Sequence, residues 1–297
     1  MHRLTTLVSL ITVLLFGGGL AGQPARAADA ATPMRFSASV KGSGPDVILI
    51  PGLASSGAVW DDTVRRLSGR YRLHVIQVAG FAGLAPGPNA EGPVIAPVVE
   101  ALHAYVAAHH LGHPAVIGHS MGGLIGLMLA QAHPDDVGRL MVVDALPFYS
   151  SIFGPGVTAA TAEPFAAQAR DAILAMPAEA YVAAEAQTAA RLSKSPEGRA
   201  SVEAWGLASD RSVAARATYD DMTTDVRPGL TAIKCPVVVV YAWDAASGPA
   251  ERTDALYASN YANLPGKRLV RVEDTFHFIP LDQPDAFSRQ VEDFLRP

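Results

Sequence analysis

Ser120 stands in the run Gly118-His119-Ser120-Met121-Gly122, a pentapeptide whose residue types and spacing suit covalent chemistry. A serine hydroxyl is a weak nucleophile until it is aimed at a substrate and a base takes its proton. The glycines two places before and two places after Ser120 permit a sharp strand-to-helix turn in which larger side chains would clash, leaving the hydroxyl proud of a sheet. The flanks agree, because Ala115-Val116-Ile117 reads as a short apolar strand and Gly122 to Ala132 as a helix. Of the nine histidines only His133 and His277 follow Ser120. His133 falls at the end of that helix and reads as a surface residue. His277 lies between an apolar run ending near Val272 and the prolines 280 and 284, in a loop where a base could stand.

The remaining reactive residue types point elsewhere. His119 adjoins Ser120, but neighbouring positions of a tight turn point in different directions, so packing beneath the turn is its expected job. His109, His110 and His113 cluster at a helix end without the carboxylate companion of a metal site, so neither a metal nor a cofactor is expected. Cys235 is the single cysteine, which excludes an intrachain disulfide. Placed just before an apolar strand, it reads as a small buried residue with an inert thiol.

Short β-branched runs alternate with helical stretches, the rhythm of an α/β fold with a mostly parallel sheet covered on both faces. Strands are expected at 47–50, 74–78, 115–117, 140–143, 237–241 and 268–272, and helices at 97–110, 122–132 and 284–295. Between Asp144 and Val237 no β-branched run appears, and the chain becomes Ala-rich with scattered aromatic and Met residues. That stretch reads as a helical insertion, bracketed by Pro147, Gly154-Pro155-Gly156 and Pro228-Gly229. The expected organisation is a core of residues 28–145 and 229–297 with a helical lid over residues 146–228.

Residues 1–27 read as a signal peptide: Met1, His2 and Arg3 precede an apolar run, and Ala25-Arg26-Ala27 offers a small-x-small cleavage site. The expected mature protein is exported, periplasmic or secreted, and not embedded in a membrane. The rest of the 297 residues suits one large domain with an insertion or two small domains. A formal net charge of −5 without a basic stripe argues against a nucleic-acid partner.

The Gly-His-Ser-Met-Gly-Gly run at 118–123 resembles the nucleophile elbow of the α/β-hydrolase family, and the likeness extends from Val47 to Leu295. Elbows of this kind occur in that family's carboxylesterases, lipases, cofactor-free haloperoxidase-like enzymes and carbon–carbon bond hydrolases. A serine in place of aspartate sets the chain apart from the dehalogenase and epoxide hydrolase branches. The family's chain order, nucleophile then acid then histidine, implies Ser120 as nucleophile and His277 as base. For the acid it implies Asp244, just past the Val-rich strand, with Asp144 as the alternative position used by some members. It further implies an oxyanion hole made by the backbone N–H groups of Met121 and Leu53. The loop carrying Leu53 departs from the family pattern by having Pro51 where His is common. It also lacks a Gly-Gly-Gly run, which makes bulky tertiary-alcohol esters less expected. Phe276 stands where Gly often precedes the histidine, narrowing the expected pocket.

The expected activity is hydrolysis of a small-molecule ester through an acyl-enzyme. Lactone opening or carbon–carbon bond cleavage by the same triad is the alternative, and a non-catalytic binding protein of the same fold is the reading from outside enzymes.

Overall fold

The computed structural model describes residues 34–296. The signal-peptide reading of residues 1–27 lies outside the described residues.

Among the described residues, seven strands form one sheet in the order β1-β3-β2-β4-β5-β6-β7. They are β1 (Phe36–Lys41), β2 (Asp46–Ile50), β3 (Arg72–Val78), β4 (Ala115–His119), β5 (Arg139–Val143), β6 (Val237–Trp243) and β7 (Arg268–Glu273). Only β1 runs antiparallel, against β3; the other neighbours are parallel. Six of the seven fall where apolar runs predict them. The additional strand, β1, reads FSASVK and buries only Phe36 well, so this edge strand lacks the apolar signature of the central ones.

The central strands are apolar on both faces because helices cover both. Ile48, Ile50, Val116, Leu140, Val142 and Val239 belong to one buried cluster, while Val47, Leu49, Ile117, Met141, Val143 and Val240 belong to the other. This is the period-2 alternation of a strand. The first face is packed by α2 (Ile95–Ala108) and α3 (Met121–Ala132), joined by Tyr257 of α8 (Ala250–Asn260) and by Tyr261 just past its end. The second carries residues of α1 (Asp61–Leu67) and α10 (Pro284–Leu295). In α10, Phe287, Val291, Phe294 and Leu295 recur at helical spacing and all are buried. A one-turn helix, α9 (Ile279–Asp282), precedes it.

Between β5 and β6 the chain forms α4 (Ala159–Ala175), α5 (Ala178–Leu192), α6 (Pro196–Ala208) and α7 (Arg211–Thr223), with no strand among them. Their starts are written locally. Thr158 and Thr161 form a capping box on α4, Ser195 caps α6 ahead of Pro196 at its first position, and Asp210 accepts from the N–H groups of Ser212 and Val213 at the start of α7. Helix α4 packs on α7, and α5 on α6. No described helix is long and apolar enough to cross a membrane.

Candidate active site

The turn from β4 into α3 places Ser120 at φ 54° and ψ −126°, a left-handed conformation that strains a residue with a Cβ and survives only where the surroundings fix it. Three hydrogen bonds do so. The Ser120 N–H donates to Val143 O at 2.9 Å, and Ser120 O accepts from Gly123 N at 2.7 Å and Leu124 N at 3.2 Å. The glycines are needed for contact as well as turning. A Cβ on Gly118 would lie 2.1 Å from Gly122 O, and one on Gly122 would lie 2.3 Å from Ile50 O. Ser120 is the N-cap residue of α3, yet its side chain makes no capping bond. The hydroxyl is therefore left for another partner.

His277 Nδ1 lies 2.7 Å from Asp144 Oδ2. This corrects the expectation that Asp244 would meet the histidine. Asp144 follows β5 directly and takes φ 46°, with its own N–H donating to Val240 O at 2.7 Å. Its other oxygen, Oδ1, accepts from Ala242 N and from the Tyr257 hydroxyl, each at 2.8 Å. Three donors thus fix both oxygens of Asp144, and Nε2 remains as the free ring nitrogen of His277. Asp244 instead caps the turn after β6 by accepting from Ala246 N and pairs with Lys194 Nζ at 2.6 Å. That ammonium, above all, holds the Asp244 carboxyl below the usual range. Lys194 also pairs with Asp274, so Asp244 ties the insertion to the core.

His119 is fully buried under the turn. One ring nitrogen, Nε2, lies 3.0 Å from the carbonyl oxygen of His277, so it donates there and braces the histidine loop, while Nδ1 has no partner among the described residues. Burial, reinforced by the neighbouring His277, lowers the His119 pKa to about 3, and the ring stays neutral. The same loop is held from below by Asp282, which accepts from Phe276 N at 3.0 Å and from the N–H groups of Lys194 and Ser195 in the insertion.

The loop after β2 lies against the elbow, since a Cβ on Gly52 would sit 3.0 Å from the Cβ of Ser120. This brings Leu53 to the cavity that Ser120 lines. Met121 opens α3, where the first N–H groups have no carbonyl one turn back to bond. The loop's shape is held by Gln77 of β3, which accepts from Gly57 N at 2.9 Å and donates to Ser55 O at 3.2 Å and Phe81 O at 3.1 Å. Neither Gln77, Asp282 nor Tyr257 was expected in this role. Gln77 left a faint signal, a polar residue between the apolar Ile76 and Val78 of β3; the other two left none in the sequence.

Ser120, Asp144, His277 and Leu53 share one cavity of about 790 Å³. Its remaining wall comes largely from the insertion, with Ile152, Phe153, Ile173, Met176 and Met222 on the apolar side and Arg191, Glu185 and Asp221 as charged groups. Burial is the main cause raising the Asp221 carboxyl to about 7, partly opposed by His277. The arrangement can perform nucleophilic acyl transfer: a freed hydroxyl, an imidazole fixed in one tautomer by a carboxylate, and two amides without obligatory partners.

Comparison with known proteins identifies the family. A family model described as "Alpha/beta hydrolase family" matches residues 47–290. The chain is 25% identical to a pimeloyl-[acyl-carrier protein] methyl ester esterase of Aliivibrio salmonicida, over 86% of this chain and 94% of that one. Among solved structures it is similar to the enol-lactonase from Burkholderia xenovorans LB400, with a TM-score of 0.70, 22% identity, and coverage of 88% of this chain and 96% of that one. It is similar as well to a thermophilic esterase from Thermogutta terrifontis, with a TM-score of 0.70, 21% identity, and coverage of 88% and 93%.

Proposed function

The chain belongs to the alpha/beta hydrolase family, and from that premise we propose that it hydrolyses small-molecule carboxylic esters through an acyl-enzyme on Ser120, with His277 as base and Asp144 as the acid of the triad. The observation that carries this reading is the 2.7 Å bond between His277 Nδ1 and Asp144 Oδ2 beside a serine in the strained elbow conformation. In the first half-reaction Ser120 Oγ bonds to the ester carbonyl carbon and its proton passes to His277 Nε2. The carbonyl electron pair moves onto oxygen, where the N–H groups of Leu53 and Met121 receive it. Collapse re-forms the carbonyl, breaks the bond to the alcohol oxygen, and returns the proton from His277 to the departing alcohol. Water then repeats the sequence on the acyl group and frees Ser120. Asp144 keeps His277 in the tautomer that accepts from serine and stabilises the imidazolium.

A wall of apolar residues from α4 and the turn before it suits an acyl chain, and the resemblance to a methyl ester esterase favours a small alcohol. Residues 1–27 would direct export, with cleavage after Ala27; N-terminal sequencing of the protein recovered from outside the cytoplasm tests that part.

The test of the activity is hydrolysis of short-chain p-nitrophenyl esters by wild type and Ser120→Ala. Loss of the nucleophile in a triad of this kind costs on the order of 10⁶ in kcat, so the variant should fall to background, and an organophosphate should label wild type at Ser120. Unchanged turnover by the variant would overturn the assignment. Lactones and vinylogous diketones in the same screen separate ester hydrolysis from the other chemistries a serine triad supports.

A further inference from the structure

At the far end of the helix that Ser120 opens, α3 ends on His133, its C-cap residue, and the chain turns through Pro134–Asp136. Facing it on α2 are Glu100 and His103, three residues apart and so on one side of that helix. His103 Nδ1 lies 2.6 Å from Asp136 Oδ2, and His133 Nε2 lies 3.2 Å from Glu100 Oε1. The two imidazoles stack with centroids 3.8 Å apart and planes 7° from parallel. One donor atom from each of His103, His133 and Asp136 falls within 4.8 Å of the other two. Among the described residues no lysine or arginine pairs with either carboxylate; their ion-pair partners are the two histidines.

We propose that His103, His133 and Asp136 form a binding site for a divalent transition metal of the zinc class, with Glu100 in reach as a further oxygen ligand. Two imidazoles and a carboxylate are the donor set of such an ion and suit calcium or magnesium poorly. Tetrahedral zinc with bonds of roughly 2.1 Å holds its ligand atoms roughly 3.4 Å apart. Closing the cluster onto an ion therefore asks about an ångström of movement from side chains that are half-buried and free on one side. The position helps as well, because the carbonyl end of α3 carries partial negative charge that favours a cation. The metal would join α2 to the end of α3. The 12 residues of α3 put it about 18 Å from Ser120, so it braces the nucleophile's helix and takes no part in the reaction.

The experiment is calorimetric titration of the full chain, carrying no polyhistidine tag and stripped with a chelator, with Zn²⁺, together with visible spectroscopy of the Co²⁺ form. One equivalent should bind, Co²⁺ should give the intense bands of a tetrahedral site, and Zn²⁺ should raise the melting temperature. His103→Gln, His133→Gln and Asp136→Asn should each weaken binding by roughly tenfold or more, while His110→Gln, in the neighbouring histidine cluster, should not. Esterase turnover of each variant, expected near wild type, establishes that it is folded. Absence of saturable binding, or equal affinity in the folded His103 and His133 variants, would overturn the site.

Discussion

Asp144 and Asp244 compete for one histidine, and the outcome rests on what each carboxylate already holds. Asp144 has three donors distributed so that Oδ2 belongs to His277. Asp244 spends its oxygens on Lys194 and Ala246. Replacing Asp144 with Asn keeps the size but presents an amide where an acceptor is needed, which favours the wrong imidazole tautomer. A loss of about 10⁴ in kcat is the measured scale for such a change. Asp244→Asn should leave kcat within a few-fold and lower the melting temperature, because it weakens a single ion pair whose lysine end is partly exposed. Steady-state kinetics on both variants decides it, and the reverse ranking would refute the assignment. As candidates Ser120 and His277 were legible in the sequence, the first from an apolar strand, two glycines and a helix, the second from the chain order that the family resemblance implies. The acid was not, because Asp144 and Asp244 both follow strands that lie side by side in the sheet. Which of them reaches His277 depends on the left-handed backbone at Asp144 and on the donors of Ala242 and Tyr257, and neither is written in the residues around it.

The elements that hold these residues meet at one crowded point, where α3 leaves β4 and passes over the end of β2. Gly122 lies there with no room for a methyl group, since its Cβ would meet backbone oxygens of Ile50 and Pro51 at 2.3 and 2.6 Å. Those atoms cannot rotate away, so Gly122→Ala must push the helix off the sheet. A cost of about 1–3 kcal/mol is usual for overpacking a core. Urea titration should show that loss, and kcat should fall with it as Ser120 shifts. Gly112→Ala is the control, because a Cβ there meets nothing within 4 Å; its change should stay within about 0.5 kcal/mol. Equal stability of the two variants would mean that the elbow has slack. Six of the seven strands and the core helices α2, α3 and α10 were readable because packing on both faces demands apolar runs, whereas β1, α1, α8 and α9 were not among the expected elements. The four helices of the insertion were readable only as a helical stretch, since Ala-rich sequence gives helix propensity without telling which face is inward, and several of its large side chains, among them Phe165 and Val182, are exposed.

Across the whole molecule, carboxylates divide into two sets that pull stability in opposite directions with pH. Asp46 is held below its ordinary value chiefly by its hydrogen bond to Arg72, and Asp244 by Lys194. Groups of this kind stabilise the fold above the ordinary carboxylate range, and their contribution is lost as acid protonates them. Asp221, Asp220 and Glu185 are raised instead, each chiefly by burial. For these the folded state holds the proton more tightly than the unfolded state does. Stability therefore falls as pH rises from the ordinary carboxylate value through the folded one. For Asp221 that window runs from about pH 4 to about 7, its folded value. Asp221→Asn has nothing to ionise and should escape this loss. The melting temperature of the variant minus that of wild type, followed by calorimetry at constant ionic strength, should climb between pH 4 and 7 and then level off. A difference that stays flat across that range would show that Asp221 ionises in the cavity without cost.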